Sequence, residues 1–134
     1  MVPDFFVSAR AARSGLPENV TLKDTSYNIS RATLLTSLLI NGKYDDLKYA
    51  VEDKIHQNYR KNNIPHFDDI VEISYAYGSK ATYLSGSGPT MVSLLADNYA
   101  EFERNMAGFL GTFQGKWSVK VLSIDNVGAI LKEC

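Results

Sequence analysis

Cysteine is almost missing from this sequence, with Cys134 the sole example. One thiol excludes an intrachain disulfide and any metal site built from several thiolates, a usage that suits a reducing compartment. A surplus of either charge is missing too. Fourteen Lys and Arg stand against fifteen Asp and Glu, a net charge of −1, so no global field favours nucleic acid or an anionic membrane surface. No apolar run approaches the ~20 residues that cross a bilayer. Met1-Val2-Pro3-Asp4 carries neither the basic nor the apolar region of a secretory leader. Internal repeats, low-complexity segments and an interior domain boundary are absent as well. These absences predict a soluble cytoplasmic domain with no nucleic-acid or membrane partner. What remains is ordinary globular material: 134 residues, 45% hydrophobic and 22% charged, enough for one modest core.

Residues 5–7, Phe-Phe-Val, read as a strand that begins almost at once, either an ordinary short first strand or what a cut through a longer chain would leave. Ser8 can cap a helix over 9–14, stopped by Gly15 and Pro17, with Arg10 and Arg13 three apart on one face. Spacing alone leaves that pair as solvated surface arginines. Asp24 is a suitable N-cap for a long helix whose inward stripe is Tyr27, Leu34, Leu35, Leu38 and Leu39, ended by Asn41-Gly42. Another helix starts near Lys43, buries Leu47, Ala50, Val51 and Ile55, and runs out into the polar stretch 53–60. There His56 has the chemistry of a general base, although a lone histidine near a helix end is more often bound to backbone carbonyls. Arg60 closes the stretch with a planar guanidinium able to grip an anion.

Pro65, Asp68 and Asp69 open a third helix that stops at Gly78. Asn98 with Glu101 makes a capping-box pattern for a last helix with Tyr99, Phe102, Met106, Phe109 and Leu110 as its stripe. Residues 117–124 and 127–131 read as two strands with Asp125-Asn126 turning between them. Between these helices lies the most informative stretch. Apolar residues run into Leu84, Ser85-Gly86-Ser87-Gly88-Pro89-Thr90 follows, and Met91 to Leu95 is apolar again. Two strands joined by a tight glycine turn are predicted. Glycine permits positive φ and lets a ligand approach the backbone without meeting a Cβ, yet such turns are more often plain hairpins. A phosphate loop of the Walker or Rossmann kind runs from glycines into a helix, and residues 90–95 do not start one. The element order predicts an α+β architecture, a mainly antiparallel sheet with helices on one face.

Taken together, several segments resemble the GHMP kinases, which phosphorylate galactose, homoserine, mevalonate and phosphomevalonate. SGSGPT looks like their third motif. PDFFVSARAARSGLP, LKDTSYNISRATLL, EDKIHQNYRKNNIPHF and ATYLSGSGPTMVSLL look like successive parts of the C-terminal domain of the homoserine kinase family. The resemblance covers nearly all of residues 1–134, as one domain. It implies a ferredoxin-like fold that packs on an N-terminal domain of the same enzyme, with L-homoserine and ATP in the cleft between them. It implies that Arg13 and Arg60 grip the substrate carboxylate, with the backbone at Gly86 beside it. Ser85, Gly86, Ser87, Gly88, Pro89 and Thr90 form the glycine motif, and no catalytic residue or metal ligand is assigned.

Arg31 is taken as structural. The family's usual threonine four residues before the first arginine is Ala9 here, so either Ser8 takes over its contact or the chain lacks it. The family's serine- and glycine-rich phosphate loop is not found among these residues. ATP and Mg2+ are therefore expected to be held mainly by the N-terminal domain, and the isolated chain to be inactive. Another GHMP small-molecule kinase is the alternative within the enzyme class. A stand-alone ferredoxin-like binding or dimerisation module is the alternative outside it, and homodimer formation is expected of a chain whose domain-facing surface is bared.

Overall fold

A computed structural model of the chain describes residues 1–128, 130 and 131. The Ser8 hydroxyl oxygen accepts the Ala11 N–H and starts α1 (Ala9–Ser14), as the sequence predicts. The long helix α2 (Leu22–Ile40) starts earlier than expected. Its cap is Thr21, whose oxygen accepts the Asp24 N–H at 3.0 Å and whose hydroxyl donates to the Asp24 carboxylate at 2.7 Å. Asp24 supplies negative charge near the positive helix end rather than the cap itself.

The helix expected to run from Lys43 towards Arg60 is broken. A 3-10 turn (Tyr44–Asp46) leads into α3 (Leu47–Ala50), and α4 (Gln57–Arg60) follows after a gap. Asp53 causes the break, because its side chain takes up the N–H groups of Ile55, His56 and Gln57 that a continuous helix would use. A 3-10 turn (Lys61–Asn63) and α5 (Phe67–Ala76) come next. Asn98 precedes α6 (Tyr99–Leu110) in the left-handed region, φ 51°, with no side-chain cap bond, so the expected capping box does not form.

The glycine hairpin is present, with β2 (Ala81–Leu84) antiparallel to β3 (Met91–Leu94) from Ala81↔Leu94 to Leu84↔Met91. β1 (Val2–Pro3) pairs antiparallel with β4 (Trp117–Ser118). The strands therefore form two separate two-stranded sheets rather than the single sheet expected. Met1 connects them, because Met1 and Met91 exchange two backbone hydrogen bonds of 2.9 Å each.

The expected strand over residues 5–7 does not form. Pairing stops where the Asp4 N–H meets Lys116 O, and Gly115, at φ +101°, turns the partner away. Phe5 packs edge-on against Trp117 instead. The expected strand over 117–124 is reduced to its first two residues. No described residue pairs with Val119 onwards, and Leu122 and Ile124 are left more than four-fifths exposed (83% and 85%). Of the last expected strand, Val127, Gly128, Ile130 and Leu131 carry no strand, and Ala129 lies outside the described residues.

Strand periodicity sets how the helices pack. Leu84 and Met91, one cross-strand pair, join Ile64, which precedes α5, with Phe67 and Ile70 of α5 and Phe102, Met106 and Leu110 of α6 in the main core. Ala81, with Tyr83 and Leu94 beside it, points the other way and meets Leu38, Leu47 and Ala50 from α2 and α3. Helices thus cover both faces of the β2–β3 hairpin, which corrects the expectation of helices on one face. Burial of both faces explains why the strands are apolar except at the Thr82–Ser93 pair, whose hydroxyls lie 2.8 Å apart in a hydrogen bond.

Candidate functional site

The glycine turn closes through Ser85 N–H to Thr90 O at 2.9 Å and Gly88 N–H to Ser85 O at 3.1 Å. Gly86 and Gly88 both lie at positive φ, +61° and +77°. The two glycines differ in surroundings. A Cβ on Gly86 would meet nothing within 4 Å, whereas one on Gly88 would lie 3.1 Å from Ile64 Cδ1 and 3.4 Å from Leu84 Cδ2. Gly86 is an exposed, open stretch of backbone; Gly88 is fixed by both conformation and packing. The Gly88–Pro89 peptide bond is cis.

α4 lies against this turn. Arg60 Nη1 donates to Gly86 O at 2.9 Å, and Gln57 Oε1 accepts the Leu84 N–H at 2.9 Å. Arg60 Nε is buried without a partner among the described residues, so the guanidinium keeps donors in reserve. The N–H groups of Gly86 and Ser87 also bond to no described residue.

Asp53 holds α4 in place. One oxygen accepts from the N–H groups of Ile55, His56 and Gln57 at 3.0, 2.6 and 2.8 Å, and the other accepts from Asn28 Nδ2 of α2 at 2.5 Å. Asn28 Oδ1 in turn accepts the Lys54 N–H at 2.9 Å. Burial acts to raise the Asp53 pKa. The bonds from Gln57, His56 and Asn28, with the nearby His56 ring, outweigh it and hold the carboxyl below its ordinary value of 3.8.

A depressed carboxylate contributes stability that is fully present above the unfolded value and is lost as pH falls through the lower folded value. Asp53→Asn, which exchanges charge-assisted bonds for neutral ones, should therefore be less stable than the parent chain by about 1–2 kcal/mol near neutral pH. The gap should close as pH drops below 3.8. Urea unfolding at a series of pH values checks this, and a gap that stays constant down to acid pH would contradict it.

Arg60 and Gly86 are thus brought together, and Arg13 is not joined to either. Arg13 sits exposed in the last turn of α1 and forms no ion pair among the described residues. Ser8 spends its hydroxyl oxygen on the α1 cap. Arg31 donates to Tyr49 O at 3.1 Å and stacks 4.6 Å from the Tyr27 ring centroid, tying α2 to α3. Tyr27 itself donates to Glu52. His56 meets a carboxylate rather than backbone carbonyls: its Nε2 lies 3.4 Å from Asp53 Oδ2, and its Nδ1 is buried without a partner.

Asp53 and Gln57 do not stand out in the sequence, where a helical stripe running to Ile55 hides the bonds that Asp53 makes to the backbone N–H groups ahead of α4. No group of three or more His, Cys, Asp or Glu able to hold a metal ion occurs among the described residues. The glycine turn leads into β3 rather than a helix, so it does not form a strand–loop–helix cradle for ATP phosphates. No helix among the described residues is long and apolar enough to cross a membrane.

A glycine turn between antiparallel strands, held by an arginine-bearing helix and flanked by helices, defines a class. Residues 35–109 match the family described as GHMP kinases C terminal, and the chain belongs to that family. Its relatives narrow the class further. It is 42% identical to homoserine kinase of Caldicellulosiruptor saccharolyticus over 130 residues, covering 96% of this chain and 42% of that protein. It is 40% identical to homoserine kinase of Clostridium beijerinckii over 133 residues, covering 99% of this chain and 45% of that protein. The chain thus spans less than half the length of these relatives. The crystal structure of homoserine kinase from Cytophaga hutchinsonii has the same fold, with a TM-score of 0.72 over 79% of this chain and 34% of that one, at 24% identity.

Proposed function

We propose that this chain is the substrate-side domain of a homoserine kinase. With its N-terminal domain it would support transfer of the ATP γ-phosphate to the hydroxyl of L-homoserine, giving O-phospho-L-homoserine. The observation that carries this reading is the bond from Arg60 Nη1 to Gly86 O. It sets a guanidinium with donors to spare beside an open glycine backbone. A carboxylate is the natural partner for such a planar fork. Homoserine offers a carboxylate at one end and the reacting hydroxyl at the other, so gripping the first orients the second. Arg13 supplies a second cation from α1, and the Gly86 backbone forms a wall that no side chain crowds.

In this reading ATP and Mg2+ would be held mainly by the N-terminal domain of the complete enzyme. ATP supplies the transferred phosphoryl group; the residues of this chain bind and orient the acceptor. In the complete enzyme β4, β1, β3 and β2 run as one sheet in that order, the ferredoxin-like arrangement, a reading supported by the Met1–Met91 pair.

ADP release tests the proposal. The 134-residue chain alone should release no ADP in response to ATP and L-homoserine. The protein extended to the length of its relatives should do so, and should prefer L-homoserine about 100-fold over an alcohol of similar size without a carboxylate, the difference expected from one lost charge-assisted grip. A carboxylate-free alcohol that works equally well would remove the role given to Arg60.

A further inference from the structure

The N–H of Leu84 points away from β3, because Leu84 and Met91 form a pair whose ladder bonds lie on either side of it, at Tyr83 and Ser85. Leu84 is buried, so without a partner this donor would be stranded away from water. Gln57 Oε1 satisfies it at 2.9 Å. Two residues further on, Arg60 takes Gly86 O. Positions 57 and 60 share one face of the helix, so a single helical turn holds the glycine turn on both sides of Ser85. At four residues, α4 is too short to persist by propensity alone. It is set instead by Asp53 at its start and by these two contacts along its face.

We infer that Gln57 is a positioning residue for Arg60. Its bond to the Leu84 N–H fixes the rotation of α4 at which Arg60 reaches Gly86 O and turns its remaining donors outward to the substrate carboxylate. The last clause rests on the functional reading above. The Gln57 amide need not touch substrate, and rotating α4 to draw Arg60 away would break both bonds at once.

The test uses the nitrogen-15-labelled 134-residue chain with Gln57→Leu and Gln57→Glu. The readouts are amide hydrogen exchange, the Arg60 Nε–H resonance and titration with L-homoserine. In Gln57→Leu the Leu84 amide should exchange about tenfold faster, the size of one lost hydrogen bond. The Arg60 resonance should shift, while Met106 and Leu110 in α6 keep their protection. Homoserine affinity should fall about tenfold as well. Gln57→Glu keeps an acceptor and should restore the slow Leu84 exchange, while its negative charge beside Arg60 keeps homoserine affinity below that of the parent.

An unchanged Leu84 amide or Arg60 resonance in Gln57→Leu overturns the inference. So does equal loss of protection at Met106 and Leu110, which marks a merely structural role, or unchanged homoserine affinity in a variant whose Arg60 resonance has moved. If the parent chain takes up no L-homoserine, the functional reading fails in this chain, and the Leu84 and Arg60 signals still decide the role of Gln57. Should Gln57→Leu fail to fold, Gln57→Asn, one methylene too short to reach Leu84, is judged by the same signals.

Discussion

Replacing Arg60 by Ala is expected to raise the KM for L-homoserine about 100-fold in the complete kinase. Removing one partner of a desolvated, hydrogen-bonded charge pair costs about 2–5 kcal/mol, and each ~1.4 kcal/mol is a factor of ten. Arg60 sits half-buried with its Nε shielded from solvent, so its contact with a carboxylate held in the closed cleft of the complete enzyme is less screened than an ion pair in open solvent. Arg13 is exposed on α1. An ion pair in solvent is worth up to about 1 kcal/mol, so Arg13→Ala should raise KM about fivefold. Arg60→Lys keeps the charge but loses the fork that bonds Gly86 O and a carboxylate together, and it should fall between parent and Ala variant. Steady-state kinetics with L-homoserine varied at saturating ATP provides the measurement. If Arg60→Ala leaves KM unchanged, Arg60 serves only to hold the glycine turn.

The second large effect concerns stability. Gly88→Ala should destabilise the chain by about 2–3 kcal/mol, against about 1–2 kcal/mol for Gly86→Ala. Both positions have φ near +60° to +80°, where a Cβ meets the neighbouring backbone. Gly88 carries an added penalty, since its Cβ would press on Ile64 Cδ1 at 3.1 Å and Ile64 is 4% exposed within the main core. Ile64 joins the Lys61–Asn63 turn to α5, so displacing it disturbs the segment that follows Arg60. Chemical denaturation of the two variants side by side gives the comparison. Equal losses would mean that Ile64 yields freely and that conformation alone requires glycine at both places.

Local signals in the sequence foretell local structure well. Ser8 and Gly15 delimit α1 at 9–14, Gly78 lies just past α5, and the SGSGPT stretch joins two antiparallel strands. These features depend on a cap, a positive φ or a turn, each set within a few residues. The bond between Arg60 and Gly86 spans 26 positions, and no local signal points to it; family resemblance implied only that both lie beside the substrate.

Illegible features depend on competition between distant partners. The apolar stripe through Leu47, Val51 and Ile55 reads as one helix, but Asp53 ends it by offering its carboxylate to three N–H groups. Residues 117–124 have strand chemistry, yet a strand needs a neighbour, and only Trp117 and Ser118 find one among the described residues, in Pro3 and Val2. Helices on both faces of the hairpin follow from Ala81 and Leu84 having opposite orientations, which periodicity suggests only after the register is known.

The bond between Arg60 and Gly86 O also determines something about the turn when no ligand is near it. A trans peptide carries its oxygen and its hydrogen on opposite edges, so anchoring the Gly86 carbonyl sends the Ser87 N–H to the far side. Glycine would otherwise let that peptide plane swing between orientations of similar energy. With the oxygen tied, one orientation remains, and a molecule binding there finds the plane already set. Such preorganisation lowers the entropic cost of binding without adding any contact. The most flexible residue type in the chain thus becomes a rigid surface, and its rigidity is supplied by a helix from another part of the sequence.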